Sequence, residues 1–197
     1  MTLRPMRGRF VAAFVFLLAS LAVACAAPAA PAPQGSVYLL RGLGNVFSLG
    51  LDTLHGKLRE ANVPSTVTGY SGWRGIAARI EARYARDKRA LPVVLVGHSF
   101  GADAVVYLAQ ELNKKKIPVA LIVTFDVVTD VTVPPNVRRV VNFYTRGFGH
   151  LLQGAPGFKG RLENVDARAE DPGIGHLNIE KSPRLHTRTI REIRRVM

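Results

Sequence analysis

The sequence predicts an α/β fold, a mostly parallel sheet with helices on both faces. Two observations carry this. Short apolar runs alternate along the chain with segments of helical periodicity. The runs are apolar throughout rather than at every second residue, as in parallel strands buried on both sides. With 197 residues and 48% hydrophobic content, the chain has enough apolar mass for one domain of ordinary size.

The elements follow in order. Val37–Leu40 is a short strand stopped by Arg41-Gly42-Leu43-Gly44. Leu51, Leu54 and Leu58 share one face of a helix over 49–61. After Pro64, residues 65–70 are rich in strand formers, and Ile76, Ala77, Ile80 and Tyr84 mark a helix over 73–88. Val93–Val96 is a strand, and 102–115 is a helix presenting Val105, Val106, Leu108, Ala109 and Leu112. A strand over 119–125 ends at Asp126, and another over 137–144 follows Pro134-Pro135. The glycine-rich stretch 147–175 contains one weak strand candidate, Arg161–Val165, and is expected to act as a short flap. A basic helix over about 184–196 completes the pattern.

The first 25 residues read differently. Arg4, Arg7 and Arg9 precede an apolar run from Phe10 to Ala24 that ends in small residues, the layout of a secretory signal peptide. The alternative is an uncleaved membrane anchor, since a run of about 15 residues is short for a span yet able to tilt or thin the bilayer. Residues 26–35 form a Pro/Ala linker, and 36–197 the folded domain. Cys25 is the only cysteine, so no intramolecular disulfide forms. Its setting, LAVAC, resembles the bacterial lipobox, with Ala22 where leucine is usual; cleavage after Ala24, Ala27 or Ala30 is the competing reading. Either outcome places the domain outside the cytoplasm, as a periplasmic protein or a lipoprotein held at the membrane through lipidated Cys25.

The formal charge is +13; without the three arginines of the signal, 24 basic residues face 14 acidic ones, a balance of +10. Such a surface favours anionic partners, and for an exported protein these are lipids and glycans of the envelope. Basic residues are scattered, with Lys114-Lys115-Lys116 the longest run and no aromatic-studded basic motif, so nucleic acid is not an expected partner.

The chemistry concentrates at Gly97-His98-Ser99-Phe100-Gly101, a G-x-S-x-G placed after an apolar strand and before a helix. A serine there occupies a sharp, strained turn, and the flanking glycines let strand and helix approach. A serine nucleophile needs a base and a group that orients the base, in the chain order Ser, Asp or Glu, His. Asp126, ending the next strand, is the candidate acid, with Asp130 in reserve. His176, in a loop after both, is the candidate base among five histidines. His55 precedes the serine in a helix, His98 is expected to point away from the site, His150 lies in a glycine-rich loop and His186 at the start of the last helix. Oxyanion donors are expected in the backbone N–H groups of Phe100 and of Leu43 in the loop after the first strand.

These motifs resemble those of the α/β-hydrolase superfamily, and more closely its small lipase, esterase and thioesterase-like members. VYLLRGLGN is similar to the family's strand followed by H-G-x-G, with Arg41 where many relatives have histidine. GHSFGA resembles its nucleophile elbow, VTFD its acid strand and GIGHLNI its histidine loop. The resemblance spans Val37 to about Ile179. It implies a minimal α/β-hydrolase fold and an exported serine hydrolase that cleaves a small-molecule or lipid carboxylic ester or thioester without a cofactor. Two alternatives stay open: an acyltransferase, and a catalytically silent envelope protein that binds anionic lipid or glycan. No metal site is expected, because H-E-x-x-H spacing and a cysteine cluster are both absent from the sequence.

Overall fold

The computed structural model describes Met1 and residues 36–44, 46–88 and 92–197. The chain divides into Met1–Pro31 and Ala32–Met197. The export signal, the 26–35 linker and Cys25 lie outside the described residues. Among the described residues, no helix is long and apolar enough to cross a membrane.

In the second unit, strands and helices alternate as far as β4, and strands then follow one another before the last helices: β1 (Ser36–Arg41), α1 (Gly50–Glu60), β2 (Ser65–Gly69), α2 (Trp73–Arg86), β3 (Val93–His98), α3 (Phe100–Lys114), β4 (Leu121–Phe125), β5 (Thr132–Val133), β6 (Arg139–Tyr144), β7 (Gln153–Gly154), β8 (Arg161–Asp166), α4 (Ala167–Glu170) and α5 (Pro183–Arg194). Six strands form one parallel sheet in the order β2-β1-β3-β4-β6-β8. The short β5 and β7 pair separately.

Alternation along each strand builds two cores. Tyr38, Leu40, Val93, Leu95, Ile122 and Val140 face α2 and α3. Val37, Leu39, Val94, Val96, Val123, Phe125, Val141 and Phe143 face α1 and α5. Removing a side chain such as Leu95 or Leu108 from water contributes about 1.5–3 kcal/mol. The sheet therefore has the mostly parallel, doubly covered architecture that the apolar strands predict.

The differences are local. Helix α3 starts at Phe100, two residues earlier than its apolar pattern indicates, because the turn at Ser99 leads straight into it. Val119 forms only an isolated bridge with Val137, ahead of β4 proper. The 147–175 stretch is not a free flap: β8 pairs with β6 along its whole length, and a partly buried polar ladder fixes the preceding segment. In that ladder Thr124 Oγ1 donates to Asn142 Oδ1, and Asn142 Nδ2 donates to the His150 carbonyl and to Asn164 Oδ1. Asn164 in turn bonds both the N–H and the C=O of Leu152.

Strand order reverses between β1 and β3, so the loops leaving their carboxyl ends open a crevice there. Close backbone approach makes the crevice. A Cβ at Gly97 would collide with the Gly101 carbonyl group, and one at Gly101 with the backbone oxygen of Leu40 and, at 2.8 Å, that of Arg41. Neither neighbour is a flexible side-chain end, so relief requires strand and helix to separate. Gly101→Ala is expected to cost at least about 4 kcal/mol or to prevent folding. Gly56→Ala, in the middle of α1 with open space around its Cβ, is expected to gain about 0.5–1 kcal/mol. Thermal melts of the two variants check the contrast.

Candidate active site

Ser99 sits between β3 and α3 with φ 57° and ψ −128°. That backbone conformation is costly for any residue with a side chain, by about 1–3 kcal/mol, and is held here by its surroundings. Its N–H donates to the Phe125 carbonyl (3.0 Å). Gly42 packs against it from the loop after β1: a Cβ there would lie 2.9 Å from Ser99 Cβ.

The structure brings together the three residues that the motif order selects. Ser99 Oγ lies 3.1 Å from His176 Nε2, and His176 Nδ1 lies 3.1 Å from Asp126 Oδ2. Asp126 follows β4 directly, is fully buried and has φ 54°. Its carboxylate also accepts from Thr145 at the end of β6: the Thr145 N–H at Oδ1 (2.6 Å) and the Thr145 hydroxyl at Oδ2 (2.8 Å). A carboxylate so filled with donors can only accept from His176, so Nδ1 carries the proton and Nε2 is left to accept from the Ser99 hydroxyl.

Phe148 stacks on the His176 ring at 3.7 Å between centroids and limits its rotation. Gly149 is required beside it, because a Cβ there would strike Asp126 Oδ1. Helix α3 is tied to the same rim by the buried Asp103, which accepts from the Val128 N–H (2.8 Å) and the Thr129 hydroxyl (2.9 Å); burial pushes its carboxyl above the ordinary range.

A cavity of about 330 Å³ opens above this chain of groups. Leu43, Phe100, Val128, Phe148 and Leu177 supply its apolar walls, and Ser48, His98, Ser99 and His176 its polar floor. Both expected oxyanion residues, Leu43 and Phe100, thus border the cavity. The Gly42 N–H is already bonded to Ser48 Oγ (2.9 Å). Arg41, in place of a histidine, grips Asp52 in the first turn of α1 with two hydrogen bonds and so holds the base of this loop.

The other candidates stay out of reach of Ser99. Asp130 is not in the chain of hydrogen bonds. His55 bonds Ser65, and His186 is buried in α5 with its Nε2 against the Glu180 carbonyl. His98 corrects an expectation. Its side chain diverges from the serine hydroxyl, but into the underside of the site: the ring is buried, 5.0 Å from the His176 ring, and bonds the His176 carbonyl. Sequence reasoning also missed Ser48 and Thr145, whereas Phe148, which reads in the sequence as a candidate wall of an acyl pocket, does line the cavity. Only Phe148, an aromatic between two glycines just before His150, carries a visible signal.

Burial pushes His98 down to about 4 from an ordinary 6.5. The unfolded chain binds this proton near pH 6.5 and the folded one only near 4. Stability contributed by neutral His98 is therefore complete above pH 6.5 and falls as the pH drops towards 4, by about 3 kcal/mol in all. Burial shifts Asp103 and Glu180 upward and His186 downward, so the His98 share is isolated by difference. Urea midpoints of wild type and His98→Gln between pH 7.5 and 4 are expected to show the steeper loss in wild type; parallel curves would contradict this.

Among the described residues, no group of His, Cys, Asp and Glu is placed to hold a metal ion. No family model and no curated protein matches the chain. Among solved structures, it is similar to a protein from Xanthomonas campestris pv. campestris named for the alpha/beta hydrolase superfamily. The two share 15% identity and a TM-score of 0.45 over 80% of this chain and 98% of that one. At that level of likeness nothing is carried over from that protein, and the chemistry of the site rests on its own geometry.

Proposed function

We propose that the protein is an exported serine hydrolase of the α/β-hydrolase type that cleaves a carboxylic ester or thioester through an acyl-enzyme. The observation that carries this reading is the continuous chain Ser99 Oγ, His176 Nε2, His176 Nδ1, Asp126 Oδ2, with both links at 3.1 Å, starting from a serine with φ 57° at the floor of a cavity. Ser99 Oγ attacks the carbonyl carbon while its proton passes to His176 Nε2; Asp126 stabilises the resulting imidazolium. The N–H groups of Phe100 and Leu43 receive the oxyanion. His176 then returns the proton to the leaving alcohol or thiol, and water, deprotonated by His176, releases the acid and frees Ser99.

The Leu43 donor has its own test. Leu43→Pro deletes that N–H, whereas Leu43→Ala keeps it. The expected loss of kcat is on the order of 100- to 1000-fold for the proline variant and slight for the alanine variant. Equal rates in both would remove Leu43 from the role.

A hydrolysis screen over p-nitrophenyl esters and acyl thioesters of increasing chain length, with Ser99→Ala as control, tests the activity. Turnover that depends on Ser99 supports hydrolysis. Acyl transfer to an added alcohol in preference to water turns the reading to an acyltransferase. Ester-inert protein that binds anionic vesicles or glycan in a salt-sensitive way turns it to the silent binding protein. Export, with the first 25 residues as signal and Cys25 as the lipid-carrying residue, belongs to the same proposal; the mass of the mature N-terminus distinguishes lipidation at Cys25 from cleavage after Ala24, Ala27 or Ala30.

A further inference from the structure

Beneath the site lies a polar chain that the hydrolytic steps do not use. The Gly42 N–H donates to Ser48 Oγ (2.9 Å), Ser48 Oγ lies 2.8 Å from His98 Nδ1, and His98 Nε2 lies 3.0 Å from the carbonyl oxygen of His176. Directions follow from the chemistry of the ends. A carbonyl only accepts, so His98 Nε2 carries the proton; Nδ1 is then an acceptor and takes the Ser48 hydroxyl proton. One neutral imidazole thus joins the backbone of the loop after β1, where Leu43 lies, to the backbone of His176.

No step of the hydrolysis uses the His98 side chain. His98 is 1% exposed and Ser48 fully buried, in a setting where an apolar side chain would be the ordinary occupant. Backbone polar groups removed from water need partners, and both loop ends find theirs in this chain. The groups that face His98 are Ser48 from the turn before α1, Asp126 from the end of β4, and His176, Glu180 and Lys181 from the last loop. Glu180 Oε2 approaches Nε2 at 3.9 Å, too far for a hydrogen bond, and burial pushes that carboxyl upward, so it supplies no competing acceptor at bonding distance.

We propose that His98 is a positioning residue, and that the chain Gly42, Ser48, His98, His176 sets the height of the His176 imidazole over Ser99 relative to the oxyanion loop. This rests on the hydrolase reading for its effect on rate, though not for its effect on His176. A shift of about 1 Å in a reacting group, made by a residue outside the chemistry, is enough to cost on the order of 100-fold.

The test uses the mature protein and the variants His98→Leu, His98→Gln and Ser48→Ala, each checked for cooperative unfolding. His98→Leu is expected to lose on the order of 10- to 100-fold in kcat with little change in KM. His98→Gln keeps an N–H donor for the His176 carbonyl and is expected to recover part of the loss. Ser48→Ala combined with His98→Gln is expected to lose no more than His98→Leu, because the links act as one unit. Imidazole 15N shifts give a readout independent of turnover. His98 is expected as the neutral Nε2–H tautomer at pH 7, and the low-field proton on His176 Nδ1 is expected to broaden or move in His98→Leu.

An Nδ1–H tautomer at His98, a loss confined to KM, or wild-type kcat with an unmoved His176 signal in His98→Leu would overturn the proposal. If His98→Leu does not fold, His98→Gln and Ser48→Ala decide by the same readouts. If wild type turns over no ester and Ser99 resists an active-site probe, the hydrolase reading fails, and the NMR arm still decides the role of His98.

Discussion

Replacing Asp126 by Asn is expected to lower kcat by on the order of 1,000- to 10,000-fold, with KM nearly unchanged and the fold intact. The backbone tolerates the change, since φ at Asp126 is 54° and asparagine accepts the left-handed region at least as well as aspartate. The Thr145 N–H fixes where the remaining carbonyl oxygen must lie, at the Oδ1 position 2.6 Å away. The new NH2 then occupies the Oδ2 position and faces His176 Nδ1 as a donor. His176 can answer only by accepting there, which puts its proton on Nε2 and leaves no base for the Ser99 hydroxyl. Steady-state kinetics and an unfolding curve check both halves; a loss of less than about tenfold would show that Asp126 does not orient His176.

The second large effect is at Ser99. Ser99→Ala is expected to remove turnover by at least about 10,000-fold, because the nucleophile is gone while base and acid remain. Stability is expected to respond in a different way. With φ 57° and ψ −128°, the turn strains any residue that carries a Cβ, so Ser99→Gly is expected to be more stable than Ser99→Ala by about 1 kcal/mol. Elsewhere the same exchange costs about 0.5–1 kcal/mol, so the reversed sign is the signature of strain held at the site. Melts of the two inactive variants side by side decide it.

How much of this was legible in the residues depends on the range of the interactions. The sheet was legible because Val93–Val96 and Leu121–Phe125 are apolar on both faces, and only a doubly covered parallel sheet buries such runs. Ser99, Asp126 and His176 were legible because each sits at a strand end or loop in the order that such a site requires. Strand β8 was faint because it is the edge of the sheet: Arg161 and Asn164 face solvent or the polar ladder, which dilutes its apolar signal. Ser48 and Thr145 carried no signal, and His98 none for its partners, since a buried serine, threonine or histidine is told from an exposed one only by partners far away in the chain. His98 Nδ1 and Ser48 Oγ are 50 positions apart, and Thr145 Oγ1 and Asp126 are 19 apart.

Charge supplied less than its size promised. Several arginines are engaged in ion pairs that fasten elements together: Arg139 with Glu163 and Glu192, Arg188 with Glu163 and Glu170, Arg146 with Asp166. Arg139 and Arg188 are less than one-fifth exposed at the side chain, so they join β6, β8, α4 and α5 rather than offering charge to a partner. The count of basic residues therefore overstates what an anionic surface would meet.

The most direct measurement of the central reading is covalent capture. The purified protein is treated at neutral pH with a fluorophosphonate, digested, and the modified peptide is mapped by mass spectrometry, with heat-unfolded protein as the control. One equivalent on Ser99, dependent on the native fold and lost in Ser99→Ala, is the predicted result. No incorporation in folded protein, or equal labelling of the Ser99→Ala variant, would contradict it.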